Sequence, residues 1–371
     1  MPNRLQQLHD AGVAIWLDFI ERTMLHNGDL ARRIKDDALT GMTSNPTIFE
    51  KALAEGSAYD AQLREAPADA TPQQLFELVA TTDVRDACDA FRAVYDKSNA
   101  DDGYVSIEVS PTSAHDAKAT LVEARRLWQM VGRPNLLVKV PGTVEGASAV
   151  KDLISEGINV NITLLFAIEA HDRIINAYMS GLEERAAKGL PIDRIASVAS
   201  FFVSRVDTEV DKRLAGSRAP NAESLKGRAA IANAKLAYQL FLERFASPRW
   251  KALAARGAMV QKPLWASTST KNPAYRDVIY VEQLIGPRSI NTMPPATIVA
   301  SKDHAEIART VDRDVDGARA DIAALEKAGV SMKDVTDKLL VEGLASFQKS
   351  FDSLIAGLEK KRGLVGAGAR A

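Results

Sequence analysis

Eight short apolar runs, separated by stretches of helical spacing, constrain this chain more than any other feature of its sequence. They lie at 13–18, 41–45, 104–109, 136–140, 159–164, 195–201, 264–268 and 289–293. Runs this short and this rich in branched residues suit strands buried on both faces of a parallel sheet. Parallel neighbours need a crossover, usually a helix. The clearest helical spacings, at 114–131, 146–155, 168–188 and 222–245, fall between the runs. The expected class is α/β, and eight strand–helix units close more simply into a (β/α)8 TIM barrel than into a doubly wound sheet. The connections after the second and sixth runs are each roughly 60 residues long and so are expected to carry extra helices. Near the end, Leu340, Leu344, Phe347, Phe351, Leu354 and Leu358 recur at spacings of four and three. They form one face of a long C-terminal helix, expected to pack on the barrel. That face is short for a dimer seam, so monomer and homodimer both stay open. Beyond Lys360, a Gly/Ala tail over about 360–371 is expected to be flexible. No internal repeat or linker divides the chain, so residues 1–371 read as a single domain.

Composition excludes several classes of function. Charged residues make up 26% and the net charge is −1, which argues against nucleic acid and against an anionic membrane surface. The single cysteine, Cys88, rules out an internal disulfide framework and suits the cytoplasm. Residues 1–7 lack the apolar core of a signal peptide, and no run approaches membrane-spanning length. The five histidines show no close pairing, so a zinc site is not expected. No Gly-rich phosphate loop is present.

One strand carries a residue that does not belong in a core. Lys139 sits inside Leu136-Leu137-Val138-Lys139-Val140-Pro141. A buried ammonium is costly unless it is paired or has shed its proton, and a desolvated lysine is a nucleophile able to form a Schiff base with a carbonyl. In a barrel the site lies at the C-terminal ends of the strands. Polar groups fall there on other runs too: Asp18, Asn45, Glu108, Asn161 and Thr163 (on one face with Asn159), Ser200 with Arg205, and Ser267 with Ser269.

Each has a plainer explanation. Asn45 before Pro46 has the pattern of a helix N-cap. Asp18 could serve in a salt bridge at the barrel mouth. Glu108 could pair with Lys139 and hold it inert, Arg205 could pair with Asp207, and Asn161 and Thr163 could satisfy each other. Schiff-base chemistry gives the same residues distinct work. Glu108 and Thr163 would move protons through a water as carbinolamine becomes imine. Asp18 would take a proton from a substrate hydroxyl during carbon–carbon cleavage. Arg205, Ser267 and Ser269 would hold a phosphate. Such a reaction needs no metal and no organic cofactor.

These segments resemble the transaldolase family. The resemblance runs from about Ala14 to about Pro294 and rests on Thr43-Ser44-Asn45-Pro46-Thr47-Ile48-Phe49, Ser106-Ile107-Glu108-Val109-Ser110-Pro111, Leu137-Val138-Lys139-Val140-Pro141-Gly142-Thr143, Gly157 to Phe166, Ser200 to Arg205 and Lys262 to Thr268 in shared order. It implies reversible transfer of a dihydroxyacetone unit from sedoheptulose 7-phosphate to glyceraldehyde 3-phosphate, a step of the pentose phosphate pathway. The products are erythrose 4-phosphate and fructose 6-phosphate. By position, Lys139 resembles the Schiff-base lysine, Asp18 the acid/base of cleavage, and Glu108 and Thr163 the pair that holds the catalytic water. Asn45 and Asn161 resemble residues that hold the dihydroxyacetone hydroxyls. Ser200 and Arg205 match the family's site serine and phosphate arginine. A second phosphate arginine of shorter members is replaced by Ser269, with Lys271 two residues on. Two other readings of the same residues are a fructose 6-phosphate aldolase-like lyase and a non-catalytic barrel that binds sugar phosphates.

Overall fold

The computed structural model describes residues 2–54 and 56–367. Eight parallel strands close into a barrel in chain order, with the last pairing back on the first. They are β1 (Val13–Asp18), β2 (Leu39–Thr43), β3 (Val105–Glu108), β4 (Leu136–Pro141), β5 (Val160–Leu165), β6 (Ser197–Phe202), β7 (Lys262–Ala266) and β8 (Ser289–Met293). The chain therefore has the (β/α)8 architecture that its alternating runs imply.

Every residue of β4 is buried, Lys139 among them. The helix that follows, Val144–Glu156, starts where the Thr143 hydroxyl accepts from the Gly146 N–H at 2.9 Å, and it stops at Gly157 with φ of +92°. Inside the barrel, Gly41 on β2 makes room for the Trp16 indole of β1. A Cβ on Gly41 would come within 2.5 Å of that ring.

Two details differ from the sequence reading. β2 lies at Leu39–Thr43, so Ser44 and Asn45 are outside the strand. Asn45 caps the helix Pro46–Ala54, its Oδ1 accepting from Ile48 N–H at 3.0 Å, and a capping residue cannot also continue a strand. The stretch 222–245 is two helices, Ala222–Leu225 and Ala229–Arg244. Gly227, with φ of +69°, separates them.

Both long connections carry extra helices. The first holds Pro46–Ala54, Asp60–Glu65, Pro72–Ala90 and Arg92–Lys97, and the second holds Ser204–Ala215, the pair just named and Pro248–Ala254. The C-terminal helix, Met332–Ala367, is about 54 Å long. It lies against the helices of the first connection. Phe351 meets Phe76 edge-on with centroids 5.7 Å apart, and Phe76 meets Phe49 in the same way at 5.6 Å. Thr47 donates to Ser350 at 2.8 Å. Of the apolar face read from the sequence, Phe347, Phe351, Leu354 and Leu358 are buried, while Leu340 and Leu344 are partly so.

The helix runs through Arg362 to Ala367, where a tail was expected from about residue 360. The cause is local anchoring. Lys361 donates to the carbonyls of Leu53 and Gly56, and Arg362 to those of Pro67, Ala68 and Ala70. Residues 368–371 of the expected tail lie outside the described residues. Among the described residues, no helix is long and apolar enough to cross a membrane.

Candidate active site

Strand register sets the site. Asp18 on β1 stands opposite Thr43 on β2, Glu108 on β3 opposite Lys139 on β4, and Lys139 in turn opposite Asn161 on β5. The strand ends open into a cleft of about 470 Å³. Asp18, Asn45, Lys139, Thr163, Ser200, Arg205, Ser267, Ser269 and Lys271 line it. Glu108 and Asn161 are buried below its surface, at 7% and 0% exposure.

Lys139 sits among polar groups from the neighbouring strands. Its Nζ donates to the Ser44 carbonyl at 3.0 Å and lies 3.4 Å from Glu108 Oε2. The carboxylate is thus close enough to feel the charge, yet Glu108 Oε2 has no hydrogen-bond partner among the described residues. Thr163 Oγ1 is in the same condition. Burial pushes the Glu108 carboxyl above the usual range, and the Lys139 charge pulls it part of the way back. The pairing of Glu108 with Lys139 foreseen as the plainer explanation therefore exists, but as a loose contact.

Asp18 is held by hydroxyls. Thr43 Oγ1 donates to Asp18 Oδ1 at 2.7 Å, and Thr43 is itself 2.7 Å from Thr292 Oγ1 on β8. Thr43 has one hydroxyl proton and uses it on Asp18, so Thr292 is the donor of that second bond. Burial raises the Asp18 carboxyl, opposed by the charge of Lys139 and by the Thr43 bond. Asn161 does not pair with Thr163. Its Nδ2 donates to Ser106 Oγ at 3.0 Å and its Oδ1 accepts from Ser200 Oγ at 2.7 Å. Asn45 both caps its helix and lines the cleft, which leaves its amide NH₂ free to donate to a ligand. Asn159, on the same face by sequence, serves the opposite end of the barrel by bonding the carbonyls of Pro134 and Leu136.

Cations gather at one side of the opening. Arg205 does not pair with Asp207. That carboxylate instead accepts from Ala230 N–H at 2.7 Å and from the Tyr280 hydroxyl at 2.8 Å. The Arg205 guanidinium lies over the rings of Phe202 and Phe347, 5.2 and 5.9 Å from their centroids. Burial lowers its pKa, with Asp18 and Glu108 acting the other way. Lys271 donates to Ser269 Oγ at 2.8 Å, and its pKa is lowered by burial and then by Arg205. Ser267, with φ of +56°, shares a 2.9 Å hydroxyl bond with Ser204. A buried lysine, two nearby carboxylates and a cationic rim can bind an anionic carbonyl compound, attack it and move its protons.

Comparison with known proteins agrees with this arrangement. A model of the transaldolase/fructose-6-phosphate aldolase family matches residues 15–358. The chain belongs to this family. A transaldolase of Frankia alni is 46% identical over 368 residues, covering 99% of both chains. A transaldolase of Thermobifida fusca is 49% identical over 357 residues, 96% of this chain and 97% of the relative. Transaldolase 2 of a Nostoc species is 45% identical over 371 residues, covering 97% of each. Four contributors to the site of this transaldolase-family chain had no site contact assigned to them from sequence. The Ser44 acceptor is a backbone atom, which side-chain chemistry does not advertise. Thr43 ends β2, Thr292 stands one residue before the end of β8, and both would have been found by asking which hydroxyls lie near Asp18 at the strand ends. Phe347 comes from the C-terminal helix, and only the three-dimensional fold brings it to Arg205.

Proposed function

We propose that this protein is an enzyme of the transferase class, a transaldolase that works through a Schiff base on Lys139. The observation that carries the reading is the buried Lys139 Nζ, 3.4 Å from Glu108 Oε2, in a cleft whose Thr163 hydroxyl, like that carboxylate oxygen, has no partner among the described residues. These are the groups that imine formation needs. Lys139 Nζ attacks the C2 carbonyl of a ketose phosphate such as sedoheptulose 7-phosphate. Glu108, through a water held with Thr163, protonates the carbinolamine oxygen so that water leaves and the iminium forms. Asp18 takes the C4 hydroxyl proton, the C3–C4 bond breaks and erythrose 4-phosphate departs. The electron pair of the broken bond is held as an enamine on Lys139. The enamine carbon then adds to glyceraldehyde 3-phosphate, Asp18 returns the proton, and hydrolysis releases fructose 6-phosphate.

The Asn45 amide suits the hydroxyls of the dihydroxyacetone portion, and Ser200 and Asn161 form the polar floor beneath it. Arg205, Ser267, Ser269 and Lys271 suit the phosphate. Lysine contributes a point charge where shorter members of the family use an arginine fork. In this reading the chain works as one domain on sugar phosphates, in the cytoplasm and within the pentose phosphate pathway, without metal or organic cofactor.

The test is borohydride trapping with fructose 6-phosphate, read by mass spectrometry of the Lys139 peptide. The expected result is a stable adduct on Lys139, with little free dihydroxyacetone whether or not an aldehyde acceptor is supplied. An unmodified Lys139 peptide would favour a binding barrel. Dihydroxyacetone accumulating without an acceptor would favour an aldolase.

A further inference from the structure

Arg205 is held in an unusual way. Among the described residues, about half of the arginines are bonded to carboxylates, as Arg22 is to Asp83 and Arg249 to Glu183. Arg205 is held instead by two aromatic rings, Phe202 at 5.2 Å and Phe347 at 5.9 Å. The choice has a chemical consequence. A carboxylate partner would occupy N–H donors and cancel the charge. An aromatic face fixes the guanidinium plane by cation–π attraction and leaves every donor available to a bidentate anion.

The two rings differ in origin. Phe202 ends β6, three residues before Arg205. Phe347 is buried and comes from the C-terminal helix. That helix reaches the site because residue 343, one turn earlier on the same face, is glycine. A Cβ there would lie 2.9 Å from Leu164 Cδ2 and 3.6 Å from Arg205 Nη1. Leu164 follows Thr163 and has φ of +59°, so the helix packs against a strained turn of the site strand β5.

We propose that Phe347 is a positioning residue that holds Arg205 aimed at the substrate phosphate and so sets the preference of the enzyme for phosphorylated over unphosphorylated sugars. The inference rests on the reading of Arg205 as the phosphate anchor.

The test compares erythrose 4-phosphate with erythrose as acceptors, fructose 6-phosphate being the donor, in the full-length protein. Phe347→Leu removes the π face and keeps an apolar side chain. It is expected to lower the ratio of the two kcat/KM values about tenfold, the size expected of a well-shielded cation–π contact. The change should appear in KM for the phosphorylated acceptor, with the inhibition constant of inorganic phosphate rising by a similar factor. Phe347→Tyr keeps the ring and should stay within about twofold of the native ratio. Gly343→Ala keeps the Phe347 ring but displaces it together with the helix, and should shift the ratio in the same direction as Phe347→Leu. If Phe347→Leu fails to fold, the Tyr and Ala variants still decide the matter. A native ratio and a native phosphate inhibition constant in Phe347→Leu or Gly343→Ala would overturn the inference, as would Phe347→Tyr falling as far as Phe347→Leu. A native protein with no preference for the phosphorylated acceptor, or an Arg205→Leu variant that keeps it, would overturn the phosphate reading instead.

Discussion

At the N-terminal end of the barrel, polar side chains largely bond the backbone, although Asn135 Oδ1 and Gln261 Oε1 find no partner among the described residues. Asn159 donates to the carbonyls of Pro134 and Leu136 and accepts from Ala196 N–H. Asn135 donates to those of Cys88 and Gly103. The buried Asp102 Oδ1 accepts from the Trp16 indole and from Gly103 N–H, each at 2.9 Å. At the C-terminal end the same kinds of group face one another and the cleft. Glu108 Oε2 and Thr163 Oγ1 have no partner among the described residues, and Arg205 is held by rings. Each unmet buried group costs roughly 1–3 kcal/mol. One end therefore fastens neighbouring strands together, while the other turns its donors and acceptors towards the cleft.

Substitutions at the two ends should consequently fail in different ways. The largest effect is expected for Lys139→Ala, which should abolish the trapped adduct and lower turnover by about 10⁴-fold or more, since it removes the nucleophile. Coupled assay and mass spectrometry check both. Asp18→Asn should still form the adduct but slow cleavage by about 10²- to 10⁴-fold, while Glu108→Gln should slow adduct formation itself. Single-turnover measurements separate these steps, and native turnover in Asp18→Asn would remove its acid/base role. Burial raises the Asp18 carboxyl, and the base must be ionised to work. Turnover in acid should therefore decline from a higher pH than an ordinary carboxylate would give.

At the opposite end, Asn159→Leu should cost about 3 kcal/mol of stability by stranding one N–H and two carbonyls, seen as a lower denaturant midpoint. Its turnover per folded molecule should match that of the native protein. A large loss of turnover there would mean that the two ends are not independent.

His171 gives the smallest effect and belongs to neither end. It is fully buried in the helix Ile168–Ala187, and neither ring nitrogen has a partner among the described residues. Burial lowers its pKa from 6.5 to about 4. The unfolded chain then binds a proton that the folded one refuses, so stability is lost as pH falls from 6.5 towards 4. The loss is about 2 kcal/mol by pH 5. His171→Leu should flatten the stability profile over that interval, as measured by denaturation at several pH values.

The residues legible in sequence were those whose chemistry contradicts their surroundings. Lys139 in an apolar run, Glu108 on the adjoining run and Asp18 at a strand end all stand out for that reason, and barrel register then brings them together. Asn159 shows the limit of the same argument. It shares a face with Asn161 and Thr163, but period two does not say which end of a strand serves the ligand. Thr43 and Ser44 belong to the family pattern, yet their contacts with Asp18 and Lys139 depend on strand pairing. Phe347 was readable as core and not as part of the site, because helical spacing reports that a residue is buried without reporting what it is buried against.

The placement of Phe347 also bears on synthesis. The barrel closes when β8 pairs with β1, so a nascent chain released as far as Met293 already has all eight strands together with Asp18, Glu108 and Lys139. The helix that brings Phe347 to Arg205 is made after the barrel strands. Biosynthesis thus separates the arrival of the nucleophile from the arrival of the second ring, and a ribosome that stalls between the two leaves a chain with the reactive lysine and an Arg205 held by Phe202 alone.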